Sequence, residues 1–321
     1  MLAIVCPGQG SQTPGFLTPW LELDGVEERL AAFSEASGAD LRAHGTTSDA
    51  DTIRDTAVAQ PLIVSASLVA LRALLEGRPA AEVVDVTAGH SVGELAAAAL
   101  AGVLDDEGAV GLVAARARAM ADAAALVPTG MSAVVGGDPD EVLAAIAASG
   151  AHPANVNGGG QVVAAGSLPA LALLAENPPA KARVIPLQVA GAFHTPYMQP
   201  ALDAFGPVAA TWPAQAPTLP FLSDADGAAY AQGATGRDVL DRIAAQVVAP
   251  VRWDLCQATF MNLGVTGLIE LAPAGVLTGL ARRTLPGVET VAVRTPQDLA
   301  AARDLVTRHA GVRTSSEETQ A

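Results

Sequence analysis

The chain has 321 residues, half of them hydrophobic, which suffices for one large domain or two unequal ones. Its net charge is −15 and its single lysine is Lys181, so it lacks the clustered positive charge that nonspecific nucleic-acid binding needs. Cys6 and Cys256 make neither a disulfide framework nor a metal cluster, the first residues lack a signal peptide's basic and apolar regions, and no uninterrupted apolar run reaches membrane-spanning length, so a soluble cytoplasmic protein is expected.

In chain order, residues 2–6 read as a short buried strand. The loop Pro7-Gly8-Gln9-Gly10-Ser11-Gln12-Thr13-Pro14-Gly15 follows at its carboxyl end, where α/β sheets gather their sites. A plain surface loop is the alternative; a phosphate-binding loop is disfavoured because no Gly-Lys-Ser/Thr follows. Residues 20–44 mix helix and loop, and 60–75 form a long apolar helix. The valines and Thr87 within 83–87 then read as a strand, and Glu94 with the alanines after it as a helix start. Between them lies Gly89-His90-Ser91-Val92-Gly93. A serine at such a turn projects its hydroxyl, and the two glycines relieve crowding around it. The Val92 N–H, at the helix N-terminus, is placed to stabilise an oxyanion. A Gly-Ser loop without chemistry is the other reading of the same residues.

Asp105-Asp106-Glu107 opens a helix running to about residue 126, with its acidic residues at the positive end of the helix dipole. Leu112, Val113, Arg116 and Met120 share one face, so Arg116 lies in the apolar stripe, while Arg118 points elsewhere with Asp122 as a solvent-side partner. An inward guanidinium needs an anion. That anion is either a buried carboxylate in a structural salt bridge or a carboxylate on a substrate. From Val127 the pattern changes to strand 131–135, helix 138–149 with Asp138 as N-cap and Pro139 at N1, strand 161–165, helix 168–176 and strand 183–189. This β-α-β-α-β series reads as a small inserted ferredoxin-like module. Asn155 to Gly160 is its irregular loop, in which Asn157 is a turn former or an active-site donor. His194 follows in the Gly/Pro loop 190–196, at a domain junction where clefts form. It is either a structural histidine or the base that Ser91 needs. His90 shapes the elbow, and His44, His152 and His309 lie in polar or loop stretches. Residues 246–253 leave one helix and enter another, 268–271 is a strand, and 311–321 is polar and expected to be disordered.

Together these motifs resemble the malonyl-CoA:acyl-carrier-protein transacylases of type II fatty-acid synthesis and the related acyltransferase domains of polyketide synthases. The resemblance covers all but about the last dozen residues. Its carriers are Pro7-Gly8-Gln9-Gly10-Ser11-Gln12, Gly89-His90-Ser91-Val92-Gly93-Glu94, Arg116 with Met120, Asn155-Val156-Asn157 with Gln161-Val162-Val163-Ala164-Ala165-Gly166, Gly191-Ala192-Phe193-His194-Thr195 and Pro250-Val251-Arg252-Trp253. The fold it implies is α/β: a large α/β-hydrolase-like domain over 1–126 and 191–321 with a parallel sheet core, and the ferredoxin-like subdomain over 127–190. The roles it implies are Ser91 as nucleophile, His194 as its base, and the N–H groups of Gln9 and Val92 as the oxyanion hole. Arg116 would pair with the malonyl carboxylate, Asn157 would order the site, and the main-chain carbonyl of Gln246 would orient the histidine. Phe193 would read the C2 position of the acyl group. The implied partners are malonyl-CoA and acyl carrier protein, met by a monomer without metal, redox cofactor, nucleic acid or membrane. Arg252, Arg282, Arg283, Lys181 and Arg183 are candidates for docking the carrier. Val92 stands where the family often has leucine, which keeps the N–H. Ala249 stands where it often has asparagine, which removes any side-chain role there. A serine esterase or thioesterase on the same elbow, and a non-catalytic carrier-binding scaffold, are the rival readings.

Overall fold

The computed structural model describes residues 1–189 and 191–311. Ala190, and all but the first residue of the tail expected to be disordered, lie outside them. Nine strands occur among the described residues: β1 (Leu2–Cys6), β2 (Val86–Gly89), β3 (Thr129–Gly136), β4 (His152–Gly158), β5 (Gln161–Ser167), β6 (Ala182–Pro186), β7 (Phe221–Leu222), β8 (Gly267–Glu270) and β9 (Glu289–Ala292). Five form a parallel sheet in the order β7-β2-β1-β8-β9. All five residues of β1 are buried, because helices cover both faces of such a sheet; the strand therefore shows as an unbroken apolar run. The strand expected from Val83 begins later. Ala80–Val83 is a helical turn, closed by the Val84 N–H on the Ala80 carbonyl at 2.9 Å, and β2 starts at Val86.

The other four strands form an antiparallel sheet in the order β4-β5-β3-β6. Two helices, Pro139–Ala148 and Leu168–Glu176, connect them as β-α-β-β-α-β. The additional strand, β4, occupies most of the stretch expected to be an irregular loop. Its pairing with β5 shifts register at Pro153/Asn155 and again at Val156/Gly158, so no period-two pattern survives in the sequence. β6 is shorter than the expected 183–189, although the Leu187 N–H still reaches the Met131 carbonyl at 2.9 Å.

Two seams join the sheets. The Val156 N–H donates to the Val251 carbonyl, and the Val251 N–H to the Ala154 carbonyl, both at 2.8 Å. The Ala192 N–H donates to the Thr129 hydroxyl at 2.9 Å, so the chain enters and leaves the small sheet at one place. The helix Thr56–Leu75 is long and apolar enough to cross a membrane, yet 83% of its apolar window is buried inside the fold. It packs on the helix Asp106–Leu126. Arg118 of that helix donates to the Ser37 carbonyl at 3.1 Å rather than pairing with Asp122, because a neighbouring helix end brings an acceptor closer than its own next turn does.

Candidate active site

The elbow is built by exclusion of side chains. A Cβ on Gly89 would sit 2.0 Å from the carbonyl carbon of Gly93, and one on Gly93 would sit 2.2 Å from the Cys6 carbonyl oxygen. With both positions bare, β2 turns into the helix Gly93–Leu100 tightly enough to leave Ser91 at φ +54°, in the left-handed region. His194 is likewise left-handed, at φ +61°. Its loop is held by the Thr195 hydroxyl, which donates to the Ala192 carbonyl at 2.6 Å.

These two strained turns bring Ser91 Oγ to 2.7 Å from His194 Nε2. His194 Nδ1 lies 3.1 Å from the Gln246 carbonyl. A carbonyl only accepts, so Nδ1 carries the ring proton and Nε2 is left to accept from the serine hydroxyl. Burial, and then the charge of Arg116, lower the histidine pKa to about 3, so the ring is neutral. Among the described residues no carboxylate bonds to the ring; Asp224 bonds instead to the serine, at its main-chain N–H.

Arg116 is 1% exposed. Its Nη1 donates to Gln60 Oε1 at 2.7 Å and its Nη2 to Ser91 Oγ at 3.3 Å. Its Nε has no acceptor, and no carboxylate among the described residues forms an ion pair with it. Burial lowers its pKa to about 10, against the longer-range pull of Asp224 and Glu94, so it keeps its charge at neutral pH. Of the two anions open to this guanidinium on sequence grounds, the structural salt bridge is therefore not present.

Asn157 lies at the edge of the same space. Its Oδ1 accepts from His90 Nε2 at 2.9 Å, and its Nδ2 donates to Gln161 Oε1 at 2.9 Å. Its carbonyl accepts from Gln257 Nε2 at 2.8 Å. The His90 ring packs on Trp253 with centroids 5.7 Å apart, and burial lowers its pKa. His90 is thus a neutral strut of the elbow. A cavity of about 450 Å³ opens onto Ser91, and Gln9, Val92, Asn157, Phe193 and His194 also line it. The side chain of Gln9 donates to the Arg54 carbonyl at 3.2 Å, which fixes the first loop over this space. All eight residues given active-site roles from the sequence fall in one place: seven touch the cavity or the Ser91 hydroxyl, and Gln246 does so through His194.

Three participants had no role assigned from sequence. Gln60, inside the long apolar helix, is Arg116's closest polar partner and also reaches Met120 Sδ at 3.5 Å. Asp224, just beyond β7, accepts the Ser91 N–H on its Oδ2 at 2.5 Å. Glu94, which closes the elbow motif, accepts the Asp224 N–H on Oε1 at 3.0 Å. A polar residue inside an apolar helix, one turn from its start, could have flagged Gln60. Asp224 grips a main-chain group 133 residues away, and such a contact leaves no pattern in a sequence.

A serine at a tight elbow, a neutral histidine bonded to it and a buried arginine without a carboxylate partner converge on one cavity, and the chain belongs to the acyl transferase family, whose domain matches residues 3–307. Within that family the chain is similar to the malonyl CoA-acyl carrier protein transacylase of Mycobacterium tuberculosis, with 51% identity over 299 residues, 93% of this chain and 98% of the relative. The crystal structure of MCAT from Mycobacterium tuberculosis matches with a TM-score of 0.88 at 49% identity, covering 95% of this chain and 99% of that one. A solved complex of a type II PKS acyl-carrier protein with its malonyl-transacylase matches with a TM-score of 0.86 at 28% identity, covering 94% of this chain and 99% of that one.

Proposed function

We propose that this protein moves a malonyl group from malonyl-CoA to the phosphopantetheine thiol of an acyl carrier protein through a malonyl ester on Ser91, supplying fatty-acid or polyketide synthesis. The observation that carries the reading is Arg116: a buried guanidinium donating to the Ser91 hydroxyl, with no protein carboxylate paired to it. An acyl group ending in a carboxylate supplies the missing anion and places its thioester carbon beside Ser91 Oγ. His194 Nε2 takes the serine proton as Oγ attacks that carbon. The N–H groups of Gln9 and Val92 receive the negative oxygen. The C–S bond breaks, and His194 returns its proton to the coenzyme A sulfur. The carrier's thiol then attacks the ester, and the same steps run in reverse. Thioester and ester exchange without change of oxidation state, so no redox cofactor is required. Gln246 holds the histidine tautomer, Asn157 keeps His90 and the elbow in place, and Phe193 limits the space at C2.

The organisation we infer is a large α/β-hydrolase-like domain over 1–126 and 191–321 carrying a ferredoxin-like insertion over 127–190. The β-α-β-β-α-β connection and the order β4-β5-β3-β6 support the second label. The protein acts as a cytoplasmic monomer.

Intact-protein mass spectrometry after mixing with malonyl-CoA tests the reaction. The wild type should gain one stable malonyl adduct that transfers to the holo carrier, and Ser91→Ala should gain none. An adduct on the variant removes Ser91 from the role. Rapid hydrolysis identifies an esterase, and no adduct on the wild type identifies a scaffold.

A further inference from the structure

Beneath the nucleophile lies a pair of buried carboxyl groups that the reaction just described does not use. Asp224 is 0% exposed and Glu94 is 1% exposed. Asp224 Oδ2 accepts the Ser91 N–H at 2.5 Å, and Glu94 Oε1 accepts the Asp224 N–H at 3.0 Å. That second bond holds Glu94 against Asp224, and Asp224 Oδ1 and Glu94 Oε2 are both buried with no hydrogen-bond partner. A proton held by one of two neighbouring buried carboxyls supplies the donor that both lack.

We propose that Asp224 is a positioning residue for Ser91, and that it works as the protonated half of a proton-sharing pair with Glu94. The charged and titratable groups around the pair agree. Arg116 faces it across the elbow, and Arg242 is engaged with Asp226. Tyr230 and Cys256 are near, and neither donates to it. Burial holds both carboxyls above the ordinary carboxylate range; the charge of Glu94 raises Asp224 further, while the contacts with Asp224 pull Glu94 back down. The pair then carries one negative charge opposite the single positive charge of Arg116, so the closed site is neutral before substrate enters. A left-handed backbone at a serine is strained and persists only where its surroundings hold it. The bond from its N–H to Asp224 supplies that hold, and it keeps Oγ on the line to His194 Nε2 rather than letting the turn relax.

The test compares Asp224→Asn, Asp224→Ala and Glu94→Gln in single-turnover acylation by malonyl-CoA, and so rests on the reading above. Its second arm, infrared spectroscopy of the unreacted protein, does not. Asparagine keeps an acceptor for the Ser91 N–H and puts an N–H where the shared proton lies, so Asp224→Asn should acylate within about threefold of wild type, as should Glu94→Gln. Asp224→Ala should acylate about tenfold or more slowly, since small misplacements of a reacting atom carry losses of that order, with malonyl-CoA affinity held within about twofold. The wild type should show, at neutral pH, the carbonyl band of a protonated carboxylic acid that shifts in heavy water and vanishes in Asp224→Asn. Acylation by Asp224→Ala at the wild-type rate, or an Asp224→Asn as slow as the alanine variant, overturns the positioning role. Absence of the infrared band, or its survival in Asp224→Asn, overturns the shared proton. If Asp224→Ala does not fold, the asparagine variant and the band still decide. A wild type that is not acylated at all refutes the proposed function and leaves the infrared result standing.

Discussion

A histidine that stays neutral through the range where its neighbours titrate is a base at every pH the enzyme meets. With a pKa near 3 against an ordinary 6.5, His194 should give malonyl-CoA kcat/KM no acid limb at the imidazole value. A limb near 6.5 would mean that the ring is solvated or charged in the free enzyme. The same shift acts on stability. Between about pH 3 and 6.5 the unfolded chain binds a proton at this position and the folded chain does not, so the contribution is full above 6.5 and is lost as pH falls through that window. His194→Ala should flatten that part of the stability profile while slowing acylation by about two to four orders of magnitude. Acyl choice divides between two other residues. Arg116→Ala should cost malonyl transfer about 2–4 kcal/mol of transition-state stabilisation and leave acetyl transfer steady or faster. Phe193→Ser should relax discrimination against a 2-methyl group, which is worth about 1–3 kcal/mol. Competition among malonyl-, methylmalonyl- and acetyl-CoA reads both; an equal slowing of every acyl group by either variant would make that residue structural. Ser91, Arg116 and His194 were visible in the sequence because each breaks a local rule: a serine between two glycines at a strand end, a guanidinium in an apolar stripe, an imidazole in a turn-rich junction. Gln60 leaves only the weaker mark of a neutral polar residue in an apolar helix, and Asp224 leaves none, since a loop carries an aspartate without complaint.

At the scale of elements, the elbow depends on what is missing from it. Gly93→Ala would drive a Cβ into the Cys6 carbonyl and push β2's turn away from β1, at a cost of about 1–3 kcal/mol in denaturant unfolding, with loss of acylation. Gly279 is the control. It lies within the helix Val276–Thr284 with nothing within 4 Å of an added Cβ, so Gly279→Ala should stabilise by about 0.5–1 kcal/mol. Equal outcomes for the two would show that the elbow yields more easily than its contacts imply. The helix Leu168–Glu176 was legible to the residue, because its apolar run has sharp ends. The two-residue β7 was not, because a strand that short has no period to detect. β4 was hidden by its own Pro, Asn and Gly residues, which serve bulges in the folded sheet but read as a loop in isolation.

On the scale of the whole molecule, charge opposes the proposed partner. Acyl carrier proteins are typically acidic, and this chain carries −15. Docking therefore calls for a local basic patch. Arg252 is engaged with Asp254 at 2.8 Å. Arg282 and Arg283 are exposed on the helix whose Val276 and Leu280 line the cavity, and Arg283 lies against Gly159 of the smaller sheet. Reversing both to glutamate should raise KM for the carrier and leave malonyl-CoA kinetics nearly unchanged; equal effects on both substrates, or on neither, would move the docking surface elsewhere. A last consequence follows from the single bond between the Ala192 N–H and the Thr129 hydroxyl. Because the chain departs and returns at that one knot, the stretch between is a cassette that two crossovers can exchange whole. Met131, Asn155, Asn157, Val163 and Leu187 would travel with it as one wall of the cavity, while Ser91, Arg116 and His194 stay behind. Recombination at this knot offers natural variation a way to change the fit of the acyl chamber, provided the incoming stretch keeps Asn157, which braces His90, and the strand that pairs with Val251.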